Sequence, residues 1–196
     1  MGYLANFILF FLLPCLLQAQ IFIPFSNWKT ISNVDKTFTL TNNGVTNVNN
    51  MQGSPFLNAA FTFKGGTYPD MPVIDYGVNT ALQAYGFEIL TGGYVRHTIQ
   101  GTNCDSTGTI TYGAHNLVVV TLTGTTGRIY INGALDSSCT FGSTPNTTAG
   151  NLYLGRNVDN TAFYTGELDD VGFWNVVLTT GELNTLYIRG KIINPP

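Results

Sequence analysis

Residues 117–133 read LVVVTLTGTTGRIYING. Leu117 to Leu122 is an apolar, β-branched run, Gly124 to Gly127 is a Thr/Gly turn, and Arg128-Ile129-Tyr130-Ile131 runs into Asn132-Gly133. β-Branched side chains fit a pleated surface, and Asn-Gly tolerates the positive φ angles of a tight hairpin turn. The stretch therefore predicts a hairpin of two antiparallel strands, with a tight turn after the second.

The same period-two alternation extends outward from this hairpin. Thr37 to Thr41 alternates before Asn42-Asn43-Gly44, Ala60 to Phe63 ends at Gly65-Gly66, and Phe87 to Leu90 reaches Gly92-Gly93. Tyr94 to Gln100, Leu152 to Leu154 and Gly166 to Trp174 complete the series. Many short strands without a long helical period predict an all-β, two-sheet antiparallel sandwich. One short C-terminal helix is predicted. Thr179 and Glu182 have capping-box spacing, Leu183, Leu186 and Tyr187 share one face, and Gly190 is placed to stop it. Between Leu168 and Val171 the alternation slips. Either a β-bulge places one Asp against backbone N–H groups, or Asp169 and Asp170 supply oxygens to a structural calcium.

The chain has 196 residues, enough for one domain, with 10% charged residues and a net charge of −3. Ordinary domains are about 25% charged. Here 27 Thr, 20 Asn and 22 Gly take over the polar covering. Eight Lys and Arg against eleven Asp and Glu exclude binding to nucleic acid through a basic surplus.

Phe7 to Leu17 is an apolar run of eleven, too short to span a membrane, and Gln18-Ala19-Gln20 follows it. Residues 1–19 are read as a secretory signal peptide cleaved after Ala19, the alternative being a retained apolar arm. Removing it leaves Cys104 and Cys139, expected to pair in an oxidising compartment, the alternative being two buried thiols. The pairing would close about 36 residues, a constraint of roughly 3–4 kcal/mol. Asn146-Thr147-Thr148 is an N-glycosylation sequon in a Gly/Ser/Thr-rich stretch.

From His115 to Tyr187 the chain resembles the laminin G-like, concanavalin A-like jelly-roll family. The resemblance is carried by His115 to Thr121, Ile129-Tyr130-Ile131-Asn132-Gly133, Leu154-Gly155-Arg156, Phe163 to Gly166, Leu168-Asp169-Asp170-Val171, and Leu178 to Tyr187. Phe61-Thr62-Phe63 and Val73 to Gly77 look similar to the family's earlier strands. His115 and Asn116 stand at the family's Trp and His positions, and Asn132 at its hairpin Asp. The resemblance implies a jelly-roll domain over 59–196, preceded by an arm and first strands over 20–58.

No carboxylates have the Glu-x-Asp-x-x-Glu spacing of jelly-roll glucanases, so catalysis is not expected. Two functions then compete. In the first reading, the single, weakly charged domain self-associates into an extracellular filament. Ile21, Phe22, Ile23 and Phe25 form an arm donated to the next copy, unless that arm is the sandwich's own first strand. In the second, the protein is a lectin-like module, with or without calcium, whose Tyr94, Tyr164 and Trp174 stack on sugar rings.

Overall fold

The alternating segments become thirteen strands and one helix among the described residues of a computed structural model. The structure describes residues 70–146 apart from 82 and 100, and 151–193 apart from 169–170 and 175–176. It also describes the backbone of three earlier strands. These are β1 (Ile21–Ile23), β2 (Thr46–Asn49) and β3 (Ala59–Lys64). There follow β4 (Asp70–Gly77), β5 (Ala84–Leu90), β6 (Tyr94–Ile99), β7 (Thr102–Thr109), β8 (Val118–Thr123), β9 (Thr126–Ile131) and β10 (Ala134–Thr140). The chain continues through β11 (Asn151–Leu154), β12 (Thr165–Leu168), β13 (Val171–Phe173) and α1 (Thr180–Ile193).

All pairings are antiparallel. One sheet has the order β11-β4-β5-β6-β7, and β10-β9-β8 forms a second ladder. Val73, Phe87, Ile89, Val95 and Ile99 from the first meet Val118, Val120, Leu122 and Ile129 from the second in one buried core. The ladders β12-β3-β2 and β1-β13 add Leu168, Val171 and Phe173 to that core. The alternate residues of the hairpin, Leu117, Val119 and Tyr130, face the other way and form a second cluster with Leu183 of α1. Asn132 makes the predicted turn at φ 54°, and its Oδ1 accepts a hydrogen bond from Leu117 N at 3.0 Å. Buried Asn116 is occupied at both ends of its amide. Its Nδ2 donates to the carbonyls of Thr111 and Ala114, and its Oδ1 accepts from Thr111 N.

The free edges of the two main ladders are joined to each other. Cys104 on β7 and Cys139 on β10 form the expected disulfide, with their Cα atoms 5.7 Å apart. Register shifts in both strands bring Ser106–Gly108 against Asp136. The Asp136 carboxylate accepts from Thr107 N at 2.7 Å and Gly108 N at 2.8 Å, and from the Ser137 hydroxyl at 2.8 Å. Ser106 Oγ fills the bulge by accepting from Val95 N and donating to Gly108 O. A Cβ at Gly108 would stand 2.5 Å from Asp136 Oδ2, so the clip needs glycine there.

The arm closes on its own body: Ile21, Phe22 and Ile23 pair with Phe173, Gly172 and Val171. β1 thus pairs as the chain's own strand, the second of the two readings of this arm. Phe25, the signal segment 1–19 and the Thr37–Thr41 strand lie outside the described residues. The predicted last strand is two strands in different ladders, β12 on β3 and β13 on β1. Leu168 and Val171 are both fully buried, so the phase does slip between them, while Asp169 and Asp170 lie outside the described residues. The capping box forms. Glu182 Oε2 accepts from Thr179 N at 2.7 Å, and Thr179 Oγ1 accepts from Glu182 N at 3.3 Å. Gly190 does not stop the helix, which continues to Ile193. One glycine weakens a helix by only about 1 kcal/mol relative to Ala, too little to end it.

His97 is fully buried in the main core, edge-on to Tyr85 and Phe141 with ring centroids 5.1 Å away in each case. Neither ring nitrogen has a hydrogen-bond partner. Burial disfavours the charged imidazolium and pushes the pKa down to about 3.

Two outcomes follow from the clip and the core. Desolvation raises the Asp136 pKa, but hydrogen bonds from Ser137, Thr107 and Gly108 together outweigh it and leave it below the ordinary value. Asp136→Ala should therefore cost about 1–3 kcal/mol in urea unfolding near neutral pH, through the two stranded N–H groups. The deficit should shrink in acid as the wild-type carboxylate is protonated; an unchanged midpoint would show the clip to be inert. For His97 the unfolded chain takes up a proton near pH 6.5, while the folded protein does not until about pH 3. Its contribution is complete above pH 6.5 and falls by up to about 1.4 kcal/mol per pH unit as the pH drops toward 3. Asp75 and Glu88, whose folded pKa values are raised, act in the opposite direction. The measurement is therefore the stability difference between wild type and His97→Leu, which should move in favour of the variant from pH 6 to 4.

Candidate functional site

The five-stranded sheet turns Tyr85, Phe87 and Ile89 of β5 into the core. By alternation, Gly86 and Glu88 lie on its other face. The register places Asp75 opposite Gly86, Arg96 opposite Glu88, and Asp105 opposite Arg96. Tyr153 of β11 stands opposite Asp75, and Asp70 starts β4 on the same face. Tyr94, Arg96 and Thr98 of β6 share it too, alternating with buried Val95, His97 and Ile99. This outer face is dry at Asp75 and Gly86 and open at Tyr94, Asn103 and Asp105.

Its charges form one network. Arg96 Nε donates to Asp105 Oδ1 at 2.7 Å and Nη2 to Oδ2 at 2.9 Å, a two-pronged pair across β6 and β7. Arg96 Nη1 lies 3.6 Å from Glu88 and 3.9 Å from Asp70. Hydrogen bonding from Arg96 holds the Asp105 pKa below its usual value. Glu88 behaves in the opposite way. Burial, reinforced by the charge of Asp70, lifts its pKa to about 7 despite the nearby guanidinium. Burial also lifts Asp75 to about 6, and Asp159 adds to this, while the N–H groups of Val158 and Tyr76 oppose it.

Asp75 is pinned at one oxygen only. Its Oδ2 accepts from Val158 N at 2.9 Å, whereas its Oδ1 is buried with no hydrogen-bond partner. Glycine at 86 is required here, because a Cβ would run into the Ile74 carbonyl and stand 3.1 Å from Asp75 Oδ1. Val158 belongs to a loop tied by Asn157, whose Oδ1 accepts from Thr161 N and Ala162 N. Arg156 begins that loop and lies over the Tyr153 ring, 3.7 Å from its centroid. Its Nη1 donates to Asn160 Oδ1 at 3.1 Å and Asn157 O at 3.3 Å.

Of the aromatic candidates, only Tyr94 is on this face, 41% exposed. Tyr164 is buried in the core at 2% exposure and cannot stack on a sugar. Trp174 is half-buried against the Leu117–Leu183 cluster under α1, away from this face. Asn146 is exposed, as a glycan acceptor must be. Asp75, Glu88, Arg96, Asp105 and Tyr153 were not singled out by sequence reasoning. The available signal was alternation around Phe87-Glu88 and Arg96-His97, where one charged residue interrupts each buried series. Among the described residues, no three His, Cys, Asp or Glu side chains are grouped so as to hold a metal ion.

The fold is similar to that of a carbohydrate-binding module and to part of a sialidase. The carbohydrate-binding module CBM40 of a Ruminococcus gnavus sialidase, solved with alpha2,3 sialyllactose, superposes with a TM-score of 0.53 at 16% identity. The match covers 64% of this chain and 79% of that one. Trypanosoma rangeli sialidase in its covalent complex with 2,3-difluorosialic acid gives 0.51 at 17%, covering 69% of this chain and 23% of that one. No curated protein matches in sequence. Residues 66–184 match the laminin G-like sequence family described as the concanavalin A-like lectin/glucanases superfamily. This covers most of the chain and all of the strands that build the outer face, and it places the protein in that superfamily.

Proposed function

We propose that this protein is a secreted, non-catalytic carbohydrate-binding module whose ligand lies on the outer face of the β11-β4-β5-β6-β7 sheet. The observation that carries the reading is the placement of Tyr94 and Tyr153 on that face, with Asp75, Glu88, Arg96 and Asp105 between or beside them. Aromatic rings offer apolar faces to sugar C–H groups, and charged hydrogen-bonding groups fix the hydroxyls. The opposite ladder offers no comparable surface, since α1 covers Leu117, Val119 and Tyr130. Similarity in fold to a carbohydrate-binding module supports this reading over the filament subunit.

A disulfide between β7 and β10 fits an oxidising, extracellular setting, and residues 1–19 would direct the chain there. No helix among the described residues is long and apolar enough to cross a membrane. Asn146, the acceptor for an N-linked glycan, stands in the stretch between β10 and β11.

The test is glycan-array binding of the purified chain with calcium and with chelator, followed by titration of the best ligand. Tyr153→Ala and Tyr94→Ala should each weaken binding at least tenfold, roughly 1.4 kcal/mol, while leaving the melting temperature within a few degrees. Trp174→Phe should not change affinity. Hydrolysis of the bound glycan, or equal loss of affinity in Trp174→Phe, would overturn the assignment.

A further inference from the structure

We infer that the outer face selects glycans bearing a free amine and rejects those bearing a carboxylate. This rests on the carbohydrate-binding reading above and names the ligand class of the same face.

The first observation is a count of charges by position. Asp70 and Asp75 on β4, Glu88 on β5 and Asp105 on β7 are four acids, and Arg96 on β6 is the base among them. That base is already committed. Two of its nitrogens are held by Asp105 at 2.7 and 2.9 Å, and the third faces Glu88 and Asp70 at 3.6 and 3.9 Å. A sugar carboxylate reaching Arg96 would have to displace Asp105 and then sit among the remaining acids. Arg156, at the β11 rim, is drawn across the Tyr153 ring and bound to its own loop through Asn157 and Asn160.

A second, independent observation points to what is missing. Asp75 is 9% exposed, and its Oδ1 has no donor, although Oδ2 is hydrogen-bonded to Val158. A buried acceptor left unpaired costs about 1–3 kcal/mol, more for a charged group, unless a ligand supplies the proton. Oδ1 lies against Gly86, where a side chain has no room because the Ile74 carbonyl and Asp75 itself fill the position. An ammonium carries three donors and a positive charge, and neither a hydroxyl nor an acetamido group supplies both. It would approach from the solvent side, where Asp70 is 47% and Glu88 23% exposed, with Asp75 behind them.

Burial is the main cause of the raised pKa values of Glu88 and Asp75, and the charges of Asp70 and Asp75 add to it at Glu88. A bound amine would favour the charged form of both carboxylates.

The experiment is titration calorimetry of the full chain at about pH 7 against four probes. These are a glucosamine oligomer, its N-acetylated counterpart, a neutral glucose oligomer and sialyllactose. The amine form should bind at least tenfold tighter than the N-acetylated and neutral forms, with affinity falling as salt is raised, and sialyllactose should not bind. Glu88→Gln, and separately Asp70→Asn at the more exposed position, should bring the amine form down to the affinity of its N-acetylated counterpart. Near-ultraviolet dichroism would verify that each variant is folded. Equal affinity for amine and N-acetylated forms, or binding of sialyllactose that Arg156→Ala abolishes, overturns the amine selection and leaves the carbohydrate-binding reading standing. Binding of none of the four probes, together with a blank glycan array, overturns both.

Discussion

The hairpin of β8 and β9 is apolar on both faces, and both have to be covered. Val118, Val120, Leu122 and Ile129 face the five-stranded sheet, while Leu117, Val119 and Tyr130 need a partner on the other side. At about 25 cal/mol per Å² of apolar surface, leaving that second face in water would cost several kcal/mol. The C-terminal helix answers this with Leu183, Leu186 and Tyr187, locked at its start by the Thr179–Glu182 box. Covering one side of the sandwich decides where function can sit. The outer face of the other sheet remains, and its alternate residues are polar because water reaches them.

Much of this was legible in the chain. The strands with clear alternation, the Asn132-Gly133 turn, the capping box and the cysteine pair all appear where local chemistry puts them, because each is decided by residues close in sequence or by chemistry with few alternatives. Among the strands that escaped notice are β7 and β10, TNCDSTGT and ALDSSCT. Neither has an apolar alternation to read. Their pairing is held by the disulfide and by Asp136 on the Thr107 and Gly108 N–H groups, which are long-range contacts. The helix end was misjudged for a related reason. Gly190 is a weak local signal, because its cost of about 1 kcal/mol relative to Ala is too small to end a helix.

The binding face was hidden in a different way. Asp75, Glu88, Arg96 and Asp105 are spread over four strands and become neighbours only through register. Tyr94 was visible because it stands beside a Gly-Gly turn, as loop aromatics often do. Tyr164 looked similar but was drawn into the core, and only the pairing of β12 with β3 and the packing of the core separate the two cases.

The clip between β7 and β10 also bears on self-association. A donated strand needs an edge with free N–H and C=O groups. The Thr107 and Gly108 N–H groups on the β7 edge are taken by Asp136, and bulges in both strands twist the two edges toward each other. β1 lies on β13 of the same chain. A surface poor in ions would favour association through open sheet borders, and the β7–β10 border is occupied from within. What remains unusual about the exterior is where its few charges are. Four of eleven acids and one of eight bases stand on one sheet face. The seven acids and seven bases elsewhere cancel, so that face carries the net charge of −3, and a small cationic group is what such a field attracts.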